Sequence, residues 1–151
     1  MQNGTSRQPD ITGWSEGAHR NALALAEMLG VAPEVYSRDP LNLLPALQNY
    51  VDRLPLHEFE QGDWITLHTD LTSYLADILI HRCAGAWSVA DDPAGPLGFR
   101  YVIEAAGRDG ERHRVEPDAV VMEEFRHVPV EITRMIANAE VTLGAMPVLD
   151  D

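Results

Sequence analysis

The stretch Phe99–Val115, FRYVIEAAGRDGERHRV, reads as two antiparallel strands joined by a tight loop. Apolar and charged side chains alternate on both sides of Arg108-Asp109-Gly110, and a period of two is the pattern of a half-buried strand. A three-residue hairpin loop ends in a left-handed residue, which glycine adopts without a Cβ penalty. Gly110 therefore fixes the loop and pairs Gly107 with Glu111. In that register Phe99, Tyr101, Ile103, Ala105, His113 and Val115 share the core side, while Arg100, Val102, Glu104, Arg112 and Arg114 share the wet side, with Glu104 opposite Arg114. A loop one residue shorter or longer would mix tyrosine and isoleucine with the arginines.

Working back from this hairpin, Asp91–Gly98 holds two prolines and two glycines and reads as a loop. Trp87 and Val89 open a short strand before it, completing a three-stranded antiparallel meander. Upstream the period becomes helical. Leu67, Leu71, Leu75, Ile78 and Leu79, with Trp64, Ile65 and Tyr74 beside them, cover over half the circumference of a central helix for which Asp63 is the cap. An acidic connection, Leu56–Gly62, separates it from a helix capped by Asn42, carrying Leu44, Leu47, Val51 and Leu54 and ended by Pro55. Ala32–Pro40 reads as a turn. Ahead of it Ser15 caps a first helix, Glu16–Leu29, with Ala18, Ala22, Leu25 and Leu29 on one face and Gly30 as its stop. Residues 1–13 lack hydrophobic periodicity and are expected to form a flexible arm.

Past the hairpin, Asp118 is expected to cap a short helix, Ala119–Arg126, and Pro129 to open a last one through Leu143, with Ile132, Ile136, Ala139 and Leu143 as its stripe. Residues 144–151 form an acidic tail. The expected architecture is a single two-layer α+β domain over residues 14–143, with N-terminal helices, the meander and C-terminal helices.

The chain has 151 residues and 24 acidic against 11 basic side chains, a formal charge of −13. Every basic residue is arginine. A surface that grips nucleic acid must release counterions from phosphates, which needs clustered positive charge, so no nucleic-acid partner is expected. A nucleic-acid mimic would need regularly spaced carboxylates, and these are scattered. Asp70, Asp77, His81 and Arg82 interrupt the most apolar helix, so no membrane partner is expected. Residues 1–10 lack the apolar run of a signal peptide, and Cys83 has no second cysteine to pair with, which together point to the cytoplasm and to a packing role for Cys83.

Catalytic motifs are absent. There is no phosphate-cradling glycine loop with a lysine, no serine elbow and no paired zinc spacing among the six histidines, so neither cofactor nor metal is expected. Glu124 and His127 have the spacing of half a helical di-iron site, but without a second copy they read as a solvated face. Asp77 and His81 stand four apart and can meet on one helix face, where a carboxylate can orient an imidazole. A helix pair at the edge of the buried stripe is the simpler account. His113 reads as a packing residue. Trp64 and Trp87 stand where large rings seal a core, and Trp14 reads as a hydrophobic staple or an exposed contact.

The remaining constellation is the wet hairpin face. Arg100, Arg112 and Arg114 gather there around Glu104 on an otherwise acidic chain. Opposite charges across strands are ordinary sheet surface, but exposed arginines beside a strand edge also suit a protein or carboxylate-binding surface.

Tyr74-Leu75-Ala76-Asp77-Ile78-Leu79, followed by Gly85-Ala86-Trp87, resembles a family of small actinobacterial proteins of unknown function, in which a buried helix ends in glycine and leads to a strand-opening tryptophan. The resemblance extends over Leu43–Leu143. The lysine-free, alanine- and arginine-rich usage is similar to that of high-GC actinobacterial proteins. Where such proteins often have glycine followed by glutamate in the helix, this chain has Ala76-Asp77. The family implies no activity. The functional expectation is a non-enzymatic interaction module, an adaptor or immunity-like protein that binds another protein through Arg100, Glu104, Arg112 and Arg114, with a homodimer as a further form. The alternative is a small enzyme or ligand-binding protein acting on a small anionic molecule through Asp77 and His81, or through Glu104 and the arginines.

Overall fold

A computed structural model describes residues 8–145. The expectations for residues 1–7 and 146–151 lie outside the described residues. Six helices, α1 (Ile11–Met28), α2 (Pro33–Arg38), α3 (Leu44–Asp52), α4 (Gln61–Cys83), α5 (Pro117–Glu124) and α6 (Ile132–Thr142), flank three strands, β1 (Ala86–Asp92), β2 (Gly98–Ala106) and β3 (Arg112–Val115). The strands form one antiparallel meander in the order β1-β2-β3. The α+β expectation holds, with helices at both ends of the chain.

The hairpin has the derived register. Glu104 faces Arg114, Ala105 faces His113, and Gly107 N donates to Glu111 O at 2.8 Å. Gly110 takes the left-handed conformation at φ 80°. Inside the loop, Asp109 Oδ1 accepts from Glu111 N at 2.9 Å, and its carboxylate receives His113 Nε2 at 3.0 Å, so the loop closes on its own polar groups. Ile103, Ala105 and Val115 enter the main core. Val102 departs from the expectation of a wet side: it is only 3% exposed, outside the main core. Its same-face neighbours Arg100 and Glu104 have long stems that can shield an apolar group while their charged ends stay in water.

Helix α4 is the central helix. Its Leu71, Tyr74, Leu75, Ile78 and Leu79 are wholly buried. Each such side chain stabilises the fold by about 1.5–3 kcal/mol relative to exposure. The core also includes Ala22, Leu25 and Ala26 of α1, Leu47 and Val51 of α3, and Ile132, Ile136, Ala139 and Leu143 at the C-terminal end; of the expected stripes, Ala18, Leu29, Leu44 and Leu54 are only partly buried, and Ala26 lies outside them. At the end of α4, Gly85 lets strand and helix approach closely, since a Cβ there would lie 2.7 Å from Ile103 Cγ2.

Several element ends differ from expectation. Helix α1 begins at Ile11 rather than Glu16, because Asp10, not Ser15, caps it by accepting from Gly13 N at 3.0 Å. Asp10 N in turn donates to Tyr101 Oη at 3.0 Å, a tertiary anchor that local pattern does not contain. Ala32–Pro40 is not a plain turn but holds α2, with Pro33 in its first turn and Tyr36 wholly buried. Asp39 takes the role given to Asn42, accepting from Leu41 N in a 3-10 turn, Pro40–Leu43, that leads into α3. Glu60 caps α4 and Asp63 reaches back to it as the other half of a capping box.

Past the sheet, Pro117 opens α5 two residues earlier than expected. Helix α6 starts at Ile132 rather than Pro129, and Gln48 Oε1 accepts from Ile132 N at 2.7 Å, so a side chain of α3 satisfies the helix entrance. Gly144, assigned to the tail, accepts from Arg108 N at 2.8 Å and belongs to the fold.

Candidate functional site

Helix α1, helix α4 and one end of the sheet enclose a groove of about 810 Å³, the largest of the concavities described here. Helix α1 contributes Gly13, Gly17 and Asn21 at spacings of four, so two of the three positions on that face carry no side chain. Trp14 and Ala18 flank that face. Helix α4 contributes Thr69, Thr72 and Ser73 to the floor, and the sheet contributes Trp87, Phe99 and Tyr101. Leu97, in the β1–β2 loop, overhangs the groove and is 41% exposed.

The aromatic wall is continuous. Trp14 stacks on Tyr101 with ring centroids 4.2 Å apart and planes 9° from parallel. Trp87 meets Trp14 edge-on at 5.7 Å, and Phe99 meets Tyr101 in the same way at 5.4 Å. Offset stacks and edge contacts of this kind add about 0.5–1.5 kcal/mol per pair beyond the area buried.

Polar groups tie the floor together and edge the rim. Asn21 Nδ2 donates to Asp70 Oδ1 and to Ser73 Oγ, both at 3.2 Å. Burial raises the Asp70 carboxyl above its ordinary range, and the Asn21 bond only partly offsets that rise. Thr72 Oγ1, in the same floor, is buried and has no hydrogen-bond partner among the described residues. At the rim Arg100 Nη1 reaches Glu116 Oε1 at 2.7 Å and Arg100 Nε lies 3.5 Å from Asp92 Oδ2. His68 Nε2 lies 2.7 Å from Asp118 Oδ1. That hydrogen bond raises the His68 imidazole against the effect of burial, and lowers Asp118.

The structure divides the four hairpin residues read as a binding surface. Arg112 Nε and Arg114 Nε both approach Glu104 Oε2, at 3.7 and 3.5 Å, so two guanidinium groups share one carboxylate on the outward face. Arg100 joins the groove rim instead, through Glu116 and Asp92. The sequence reading missed Trp14, Asn21 and Tyr101 as one site. The signal available was the pair Gly13 and Gly17, one turn apart on a helix and next to a tryptophan.

The proposed pairing of Asp77 with His81 is replaced by another. Asp77 is buried, and its Oδ2 receives Tyr36 Oη at 2.7 Å and His19 Nδ1 at 3.0 Å. Burial raises Asp77, and the Tyr36 and His19 hydrogen bonds pull it partly back. The helix turns Asp77 toward α1 and α2, where the buried Tyr36 hydroxyl needs an acceptor. His81 lies instead 3.9 Å from Asp39. His19 does not line the groove, so this oriented imidazole stands outside it.

Glu124 likewise departs from the solvated face expected of it. It is 1% exposed and holds Arg134 Nε at 3.0 Å and Glu131 N at 2.9 Å, organising the α5–α6 connection. His127 pairs with Glu123. Among the described residues, no three His, Cys, Asp or Glu side chains are arranged to hold a metal ion, and no helix is long and apolar enough to cross a membrane.

A second apolar surface lies around Trp64 and Phe125, whose centroids are 5.0 Å apart, with Ile65 and Met122 exposed beside them. Cys83 lines a smaller pocket of about 360 Å³, where burial raises its thiol and so disfavours the thiolate. No family model, no curated protein and no solved structure matches the chain.

Proposed function

We propose that the chain is a non-enzymatic interaction module that holds a segment of a partner protein in the groove between α1, α4 and the sheet. The observation that carries this reading is the concentration of aromatic side chains, Trp14, Trp87, Phe99 and Tyr101, in one groove. Aromatic rings give a binding surface much contact area at little entropic cost, because few side-chain torsions are frozen. The volume is within the range of specific ligand sites, about 300–1,000 Å³. Its titratable rim groups are engaged with each other, Arg100 with Glu116 and His68 with Asp118, rather than directed at one point in the interior. Such an arrangement favours holding a ligand over transforming it.

A cytoplasmic location and kinship with the small actinobacterial proteins are parts of the same reading, resting on the lone Cys83 and on residue usage. The outward face of Glu104, Arg112 and Arg114 is assigned a lesser role, since its charges already neutralise one another in part.

The test is a plug. A Cβ added at Gly17 meets nothing closer than Arg20 Nη2 at 3.9 Å. Gly17→Leu therefore starts from a Cβ that has room, adds bulk to the groove lining and, by replacing a helical glycine, should not destabilise the fold. Peptides selected from a random library on the immobilised native chain should lose binding to Gly17→Leu and keep it with Arg112→Ala/Arg114→Ala. Loss only in the arginine variant would move the site to the hairpin face.

A further inference from the structure

We propose that what the groove selects on its partner is a cationic side chain, lysine or arginine, flanked by apolar residues; this rests on the groove being the binding site. The occupant is inferred from charge and from the open chemistry of the walls. Three carboxylates, Asp92, Glu116 and Asp118, edge the groove against one guanidinium, Arg100. That guanidinium is already held by Glu116 Oε1 and Asp92 Oδ2, and His68 takes Asp118 Oδ1. The second oxygens, Glu116 Oε2, Asp118 Oδ2 and Asp92 Oδ1, accept no hydrogen bond from any described residue, which leaves acceptors for an incoming ammonium or guanidinium.

The wall beneath them is also suited to a cation. Trp14 has one face on Tyr101 and an edge contact with Trp87, yet 42% of it remains exposed. The face of an indole attracts a cation through its quadrupole, with a contribution of about threefold to thirtyfold in affinity when the cation is partly desolvated. At long range the chain's charge of −13 steers basic segments toward it and repels a second copy of itself.

An anionic ligand, the class given to the alternative enzyme reading, fits poorly here. It would meet three carboxylates, with Arg100 and the raised His68 imidazole already paired to them. A purely apolar segment would cover the aromatics but leave the free rim oxygens to compete for water.

The experiment uses the full chain and a random dodecapeptide phage library, with selected peptides resynthesised and titrated by calorimetry. Peptides that depend on the groove, judged by loss of binding to Gly17→Leu, should carry lysine or arginine next to apolar residues. Replacing that arginine with citrulline, its neutral isostere, or that lysine with norleucine should weaken binding about tenfold. The penalty should shrink in Glu116→Gln and Asp118→Asn. Affinity should also fall as salt rises from 50 to 500 mM.

Groove-dependent peptides without a basic residue, or basic ones that bind equally well as the neutral isostere, overturn the cation proposal and leave the groove reading intact. Selected peptides indifferent to Gly17→Leu, or no enrichment at all, overturn both. A dimer in sedimentation that Gly17→Leu dissociates would assign the groove to a second copy and likewise overturn the proposal.

Discussion

Trp14 on α1 and Tyr101 on β2 stack at 4.2 Å, and this one contact joins the first helix to the middle strand where the groove opens. The same tyrosine accepts from Asp10 N through its hydroxyl at 3.0 Å, so it holds both the cap and the first turn of α1. Trp14→Ala should cost about 1 kcal/mol beyond the area it uncovers. Tyr101→Phe, which removes only the hydroxyl, should cost about 0.5–1.5 kcal/mol. Urea unfolding gives both values, and amide exchange should show the loss of protection in Tyr101→Phe concentrated at the start of α1.

Tyr36 Oη donates to Asp77 Oδ2 at 2.7 Å in a buried contact that Asp77 shares with His19. Asp77→Ala leaves the Tyr36 hydroxyl without its acceptor, at a cost of about 1–3 kcal/mol. Asp77→Asn keeps an oxygen facing Tyr36 and should cost less. In Tyr36→Phe the penalty of Asp77→Ala should shrink, since the stranded hydroxyl is gone. A double-mutant cycle on denaturant midpoints measures the difference. Additive losses would show that the contact does not couple the two residues.

His68 and Asp118 should give the groove rim a pH window. The His68 imidazole is raised above 6.5, so its contribution is complete below that value and is lost as pH rises through the folded-state value. The Asp118 carboxyl is lowered below 3.8, so its contribution is present above that value and is lost as pH falls through the folded-state value. The stability difference between native and Asp118→Asn should therefore be widest between about pH 4 and 6.5 and narrow on either side. Asp118 is largely solvated, which limits the effect to a few tenths to about 1 kcal/mol. Thermal unfolding of both chains across pH 3–9 checks the shape.

Ala84 closes α4 in the left-handed conformation at φ 53°, where a Cβ is disfavoured. Ala84→Gly should raise stability by about 1 kcal/mol, seen as an increase in Tm with unchanged far-UV dichroism. A loss of stability would mean that the greater freedom of glycine in the unfolded chain outweighs the relief.

The parts legible in the sequence were those whose causes are local. Arg108-Asp109-Gly110 carries its own turn chemistry, and β2 and β3 carry an alternation that only one loop length satisfies. The leucines of α4 announce a buried helix by spacing alone. What escaped has tertiary causes. Asp10 caps α1 while anchored to a tyrosine 91 residues away. Helix α2 spans six residues, too short to show a period, and its reason for forming is the buried Tyr36. Asp77 and His81 have the right spacing to meet, but nothing in that spacing says that Asp77 turns to α1 and α2. The groove is harder still, because Trp14, Asn21, Thr72 and Tyr101 come from three elements that meet only in the folded chain.

The three tryptophans separate the competing surfaces, since Trp14 and Trp87 line the groove and Trp64 lies on the other apolar surface. Their indole N–H resonances can be followed in a nitrogen-15 labelled chain as a selected basic peptide is added. The account predicts saturable shifts of the Trp14 and Trp87 indoles, a still Trp64 indole, and no shifts in Gly17→Leu. Movement of Trp64, or of the Arg112 and Arg114 amides, with Trp14 and Trp87 unchanged would contradict it.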